Sequence, residues 1–442
     1  MPHLRTASLI ALSCATLFMA CAPSDPVSEA GPTDLSPASW GGAQLERFRA
    51  LQATYGEPQA LVESERAMIV GITAALAVRS GYEALRQGGS AADAALTTTF
   101  AEIVLTAGSS VTYAGEMVML YYEAATGRVH SMSATYNTVL GENDPMSIPP
   151  QGTPSGRATL VPGVMAGLGA AHERFGRLPW AEIVEPAIHF AEEGFEIDAR
   201  REQLIDARFE PITRFPEGRA IFLKDDGTPY REGDWFRQPK LAATLRRVAD
   251  EGSDYFYRGE WAQDLVAAVQ REGGRMTLED LESYEAIWSE PAHTTFRGFD
   301  VYGAGLPSYG GVNLVEALNI AEAADLADLG EPSRSAQGLF RLMQIAQLAD
   351  MLSPPMIGSF SPGAVIHDRL PGADLSAAGR MTKETAALIW ESMRQSTWQE
   401  FTRDIGLARS GDSEAVENLV AGFGRRRAAA DSTSEPPRHT AG

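Results

Sequence analysis

Gly88 to Ser133 reads GGSAADAALTTTFAEIVLTAGSSVTYAGEMVMLYYEAATGRVHSMS, and this stretch decides the fold. Ser90 stands where a helix cap belongs, and Asp93, three residues on, completes a capping-box pattern. Ala91 to Val104 place small and apolar residues at helical spacing, so a helix narrow enough to lie close against a sheet is predicted. A Gly/Ser/Thr loop runs from Thr106 to Gly115. Met117 to Tyr122 is apolar and aromatic, of strand length. Ala124-Ala125-Thr126-Gly127 reads as a hairpin turn and Arg128 to Ser133 as the return strand.

Outward from this core the same signals recur. Met68 to Ile72 is strand-like and precedes a helix with Ala74, Ala77, Val78 and Leu85 on one side. Thr159 to Gly167 (TLVPGVMAG) spaces two glycines where a helix approaches a strand closely. Arg177-Leu178-Pro179-Trp180-Ala181-Glu182 opens a helix that carries Glu185-Pro186-Ala187 and ends at Gly194. Residues 200 to 240 are polar and poorly patterned. Helices are predicted over Leu241 to Glu251 and Trp261 to Glu272, stopped by Gly273-Gly274, and Thr277-Leu278-Glu279-Asp280-Leu281 starts a short one. A strand pair is expected around Arg297-Gly298. Pro307-Ser308-Tyr309-Gly310-Gly311 leads into a helix from Val312 to Ala324. More helix is expected over 336–353 and, in pieces, 382–424.

Composition bounds the function. The chain has 442 residues, a net charge of −21 and 44% hydrophobic residues, ordinary for a globular protein. So acidic a chain is a poor partner for nucleic acid, whose phosphates need a basic face. Cys14 and Cys21 are the only cysteines, so the body after Cys21 holds no disulfide, thiolate metal site or cysteine nucleophile. The nearest approach to a metal cluster, His189 with Glu192 and Glu193, reads as a polar helix face. No metal or cofactor is expected. Ser308 does not sit on a serine elbow, because Leu306 stands where that turn needs glycine.

Several of these segments carry a family resemblance. Gly88-Gly89-Ser90-Ala91-Ala92-Asp93-Ala94-Ala95, Val161-Pro162-Gly163, the Leu178-Pro179-Trp180 and Glu185-Pro186-Ala187 pair, and the run from Phe256-Tyr257 through Leu281 follow in the order found in gamma-glutamyltranspeptidases. Pro307-Ser308-Tyr309-Gly310-Gly311 is similar to the family's Pro-Ser-Ser-Gly-Gly, with Tyr309 as a departure. The resemblance runs over roughly residues 60 to 330 and more loosely to 442. It implies an α/β fold of the αββα N-terminal-nucleophile hydrolase type, of which this chain is the large-subunit part, incomplete without a small subunit. It also implies hydrolysis or transfer of gamma-glutamyl amides such as glutathione. The nucleophile would be a threonine freed by autocleavage, with its own amine as general base. Pro436 to Gly442 resembles the approach to that processing site, which makes Thr440 the candidate nucleophile and His439–Thr440 the scissile bond.

Two departures bear on substrate. The family usually offers an arginine just after the hairpin, a natural bidentate partner for the glutamyl carboxylate. Here Ser133-Ala134-Thr135-Tyr136-Asn137 has none, Arg157 is the nearest downstream, and Tyr136 and Asn137 are the candidate substrate-binding residues. The Gly-Gly-Gly loop is likewise replaced by Tyr113-Ala114-Gly115-Glu116. Two readings stay open: an amidohydrolase large subunit, or a degenerate homologue that binds a peptide or amino-acid derivative in the cell envelope without catalysis.

The N-terminus reads as an export signal over residues 1–20, with Arg5 before an apolar run from Ala7 to Met19 that is too short to span a bilayer. Leu17-Phe18-Met19-Ala20-Cys21 is similar to a bacterial lipoprotein site, with Cys21 the lipidated residue. An exported, periplasmic protein held at the outer membrane only through that lipid is expected. Residues 21–45 read as a tether, 46–424 as the folded domain and 425–442 as a mobile tail approaching the processing site.

Overall fold

The structure, a computed structural model, describes residues 33–53, 69–71, 74–108, 111–150, 153–351 and 372–394. Thr440, Cys21 and the 425–442 tail lie outside the described residues.

The capping box forms as read. Ser90 Oγ accepts from Asp93 N at 3.0 Å and Asp93 Oδ2 accepts from Ser90 N at 2.7 Å, opening the Ala91–Leu105 helix. Asp93 is fully buried, and its carboxylate also accepts from Arg177 N at 2.9 Å. One side chain thus ties this helix to the start of the Trp180–Glu193 helix.

The hairpin is β1 (Met117–Glu123) and β2 (Arg128–Ala134), in register Met117↔Ala134 to Glu123↔Arg128. Gly127 closes the turn at φ 69°, where a side chain would be strained. The short strands β3 (Phe195–Glu196) and β4 (Trp235–Phe236) pair with each other. β5 (Ile287–Ser289) adds to β2, giving a three-stranded antiparallel sheet in the order β1-β2-β5. β6 (Ala292–Phe296) and β7 (Phe299–Gly303) form a second hairpin around Arg297-Gly298.

One expectation fails on packing. The Ala91–Leu105 helix lies not against the sheet but between the Ala75–Arg86 and Trp180–Glu193 helices, with Phe100 edge-on to Trp180 at 5.4 Å. The helix that backs the sheet is Val164–Phe175. An added Cβ on its Gly167 would sit 2.7 Å from Ala134 Cβ and 3.1 Å from Met117 S, so a bare backbone is what allows the approach. Tyr121 of β1 stacks on Phe175 at 3.9 Å, and Met132, beneath, is fully buried.

Three local readings are also corrected. Residues 33–45, read as tether, are folded: Ser36 caps a 3-10 turn, the Gly42–Ala53 helix follows, and Leu35, Trp40 and Phe48 enter the main core. Their apolar side chains are few but well spaced, and Pro and Ser start the turn rather than loosen the chain. Residues 69–71 carry no strand. The polar stretch from 200 holds the Ala199–Ala207, Phe209–Thr213 and Pro216–Phe222 helices.

A smaller core joins the Tyr309–Ala323, Ala336–Met351 and Lys383–Met393 helices through Ile320, Ile345, Ala386 and Ile389. Beside it Arg380 is buried against Glu316, with Nη2–Oε2 at 2.6 Å and Nε–Oε1 at 3.0 Å. This bidentate pairing is the geometry that makes a buried charge tolerable. No helix among the described residues is long and apolar enough to cross a membrane.

Candidate active-site rim

The end of the hairpin gathers what the sequence scatters. Met117 pairs with Ala134, so Glu116 and Thr135 leave the ladder side by side. Asn137 then forms an isolated antiparallel bridge with Val161, its N–H donating at 3.1 Å and its carbonyl accepting at 2.8 Å. This seats the Val161-Pro162-Gly163 turn beside the strand end. Gly163 N and Val164 N both donate to Gly115 O, at 3.0 and 3.1 Å. A Cβ on Gly163 would stand 2.0 Å from Tyr284 Oη and 2.3 Å from Ala134 O. The glycine is therefore required by the meeting of three segments.

Tyr284 closes the rim from below. Its hydroxyl donates to Thr135 O at 2.5 Å and its ring stacks on Tyr257 at 5.6 Å. Tyr257 Oη in turn donates to Pro162 O and accepts from Ala166 N. Burial, and secondly the Glu116 carboxylate, push the Tyr284 phenol up to about 12. Burial holds the Tyr257 phenol above its ordinary value as well.

Tyr136 and Asn137 are both exposed at this rim. Partial burial and then Glu116 raise the Tyr136 phenol. Arg157 is not available to them. Its guanidinium donates to both Glu142 oxygens, at 3.1 and 2.7 Å, and to Ser147 and Asp144 O. Arg275 is held on Glu142 and Asn143. Among the described residues the side-chain partner of the Ser308 hydroxyl is that of Ser133, at 2.8 Å, and not a base.

Sequence reading gave no place at this rim to the Glu116 carboxylate and did not single out Tyr284. Tyr284 reaches Thr135 across 149 residues, and no local pattern encodes such a contact. His189 lines a surface cavity of about 460 Å³ with Glu182, Glu185, Glu192, Glu193 and Arg246. Burial lowers its imidazole pKa. Among the described residues no group of three His, Asp or Glu side chains is disposed to hold a metal ion.

The sheet itself is half covered. The Val164–Phe175 helix packs one face. On the other, Gly305 N donates to Ser131 Oγ at 2.8 Å and Ser308 meets Ser133, covering β2. Val118, Leu120 and Tyr122 of β1 remain 46%, 43% and 64% exposed on that face. The outer edge of β1 has no strand partner among the described residues.

The gamma-glutamyltranspeptidase family profile matches residues 77–352. The chain belongs to the gamma-glutamyltranspeptidase family. It is 35% identical over 282 residues to the glutathione hydrolase proenzyme of Pseudomonas aeruginosa, covering 61% of this chain and 49% of that protein. To the Escherichia coli glutathione hydrolase proenzyme it is 30% identical over 283 residues, covering 62% and 48%. The chain thus spans about half the length of the curated relatives it matches. The gamma-glutamyltranspeptidase structure from Helicobacter pylori superposes with a TM-score of 0.67 at 25% identity, covering 76% of this chain and 94% of that one. That from Pseudomonas nitroreducens, complexed with L-DON, gives 0.62 at 28% identity, covering 76% and 97%. The fold is therefore the N-terminal-nucleophile hydrolase fold of this family.

Proposed function

We propose that this chain is the large-subunit part of an amidohydrolase that cleaves or transfers gamma-glutamyl-type amides, the class to which glutathione belongs. It forms one wall of a cleft whose other wall is a small subunit. The observation that carries this reading is the half-covered sheet. A hairpin from the family's own fold leaves three apolar side chains of β1 exposed and, among the described residues, that strand's edge unpaired, a state that a partner chain would relieve. In keeping with it, the chain covers nearly all of the matched chains in solved structures but only half of the relatives named proenzymes.

Thr440 is the proposed nucleophile. Cleavage of the His439–Thr440 bond would free its amine, which takes the hydroxyl proton as the oxygen attacks the amide carbon. The C–N bond breaks, the amine leaves with that proton, and water or an acceptor amine resolves the ester. Tyr136 and Asn137 are the proposed substrate contacts at the hairpin exit. Residues 1–20 would serve as export signal and Cys21 as lipid anchor, giving a periplasmic protein at the outer membrane. The domain proper would start with the folded segment from residue 33, whose Leu35 and Trp40 enter the main core, and run to 424, with 425–442 the tail.

A non-catalytic binding role is the second reading. It is favoured by one observation, the lack of a guanidinium from Ser133 to Asn137. Producing the chain together with a small-subunit polypeptide of the family and assaying glutathione hydrolysis separates the two. Turnover supports the enzyme, and a stable pair without turnover supports the binding protein.

A further inference from the structure

We infer that the hairpin exit is a subsite for an ammonium group, held by Glu116 with Tyr136 and Asn137, and that the preferred acyl donors are amides of ω-amino acids lacking an α-carboxylate. This inference rests on the proposed reading of the chain as one wall of an amide-hydrolysing cleft.

Three features of the rim carry it. Glu116, Tyr136 and Asn137 are exposed where β1 and β2 end, and Glu116 lies near enough to the Tyr136 phenol to help raise it. Glu116 forms no ion pair among the described residues, and the Tyr284 hydroxyl beside it donates to Thr135 O instead. Among the described residues the Glu116 charge is thus unshared. Finally, the two arginines described near the strand exit are not ready for a carboxylate. The strand exit from Ser133 to Asn137 contains none, and Arg157 and Arg275 are both engaged on Glu142.

A gamma-glutamyl group carries an ammonium and a carboxylate on the same carbon. At this rim the ammonium meets Glu116 in a charge-assisted hydrogen bond, with the Tyr136 hydroxyl and Asn137 amide as neutral neighbours. On this wall the carboxylate would meet the same negative charge, with no described cation of the strand exit to offset it. Removing it leaves the 4-aminobutyryl group, which keeps chain length and amine. The chain's net charge of −21 favours the approach of such cationic donors.

The test uses the full chain and three probes, the 4-nitroanilides of 4-aminobutyrate, gamma-glutamate and butyrate, with affinity read by ligand-observed NMR. The 4-aminobutyryl probe should bind at least about tenfold more tightly than either other. Glu116→Gln should abolish that preference, and Glu116→Arg should turn it toward the gamma-glutamyl probe. Unchanged thermal melting would show both variants folded. Equal or tighter gamma-glutamyl binding, no binding of any probe, or a preference that survives Glu116→Gln would overturn the inference. Nitroaniline release by the chain paired with a small subunit is a separate readout. If the binding preference holds and no anilide is cleaved, the proposed enzymatic function fails and the ammonium subsite stands.

Discussion

Asp93 shows how much one side chain can organise. Its buried carboxylate accepts from Ser90 N and Arg177 N, joining a helix cap to the start of another helix. Asp93→Ala would lose the cap and leave buried donors unpaired. A loss of about 3 kcal/mol is expected from those two effects together, and chemical denaturation measures it. Tyr284 makes a second prediction at this scale. Its phenol is raised from 10.0 to about 12 in the folded chain, so the unfolded chain ionises first as pH rises. The stability this group contributes is full below pH 10 and is lost as pH climbs through about 12. Urea midpoints at pH 9, 10 and 11 should fall more steeply for the wild type than for Tyr284→Phe. Parallel slopes would refute the burial argument.

At the scale of elements, what was legible followed chain-local rules. The Ser90–Asp93 box, the Gly127 turn and the Pro179 and Gly194 helix limits each depend on neighbours within a few residues, and all appear where their residue types place them. Residues whose partners lie far along the chain were not legible. β5 joins β2 across more than 150 residues, and nothing in Ile287–Ser289 names that partner. The small-residue helix was assigned to the wrong neighbour for a related reason. Small side chains specify a close approach but not what is approached, and Gly167, not Ala94, meets the sheet. The clasp at 33–53 was hidden by composition, since Pro and Ser suit a turn and a linker equally. The open face of β1 yields a prediction here. Replacing Val118, Leu120 and Tyr122 together by Ser should change the chain's own stability by only about 1 kcal/mol, because these groups are already in water. It should abolish association with a small subunit, read by size-exclusion chromatography. Retained association would show that the strip faces solvent in the assembled protein.

At the scale of the whole molecule, family membership was legible because ordered motifs survive across much of the chain. The candidate rim was legible only in part. Tyr136 and Asn137 do sit at the hairpin exit, but the charge that distinguishes this rim belongs to Glu116, and the wall beneath it to Tyr284. The described residues build a helix-backed sheet with one apolar strip and one strand edge left unmatched. A sheet in that state is what half of a two-walled cleft looks like. The decisive measurement is hydrolysis of a panel of acyl anilides by this chain alone and by the chain paired with a small subunit of the family. The account predicts turnover only from the pair, lost when the β1 strip is replaced by serines. Hydrolysis by the chain alone at the same rate, or a stoichiometric pair that cleaves none of the panel, would contradict it.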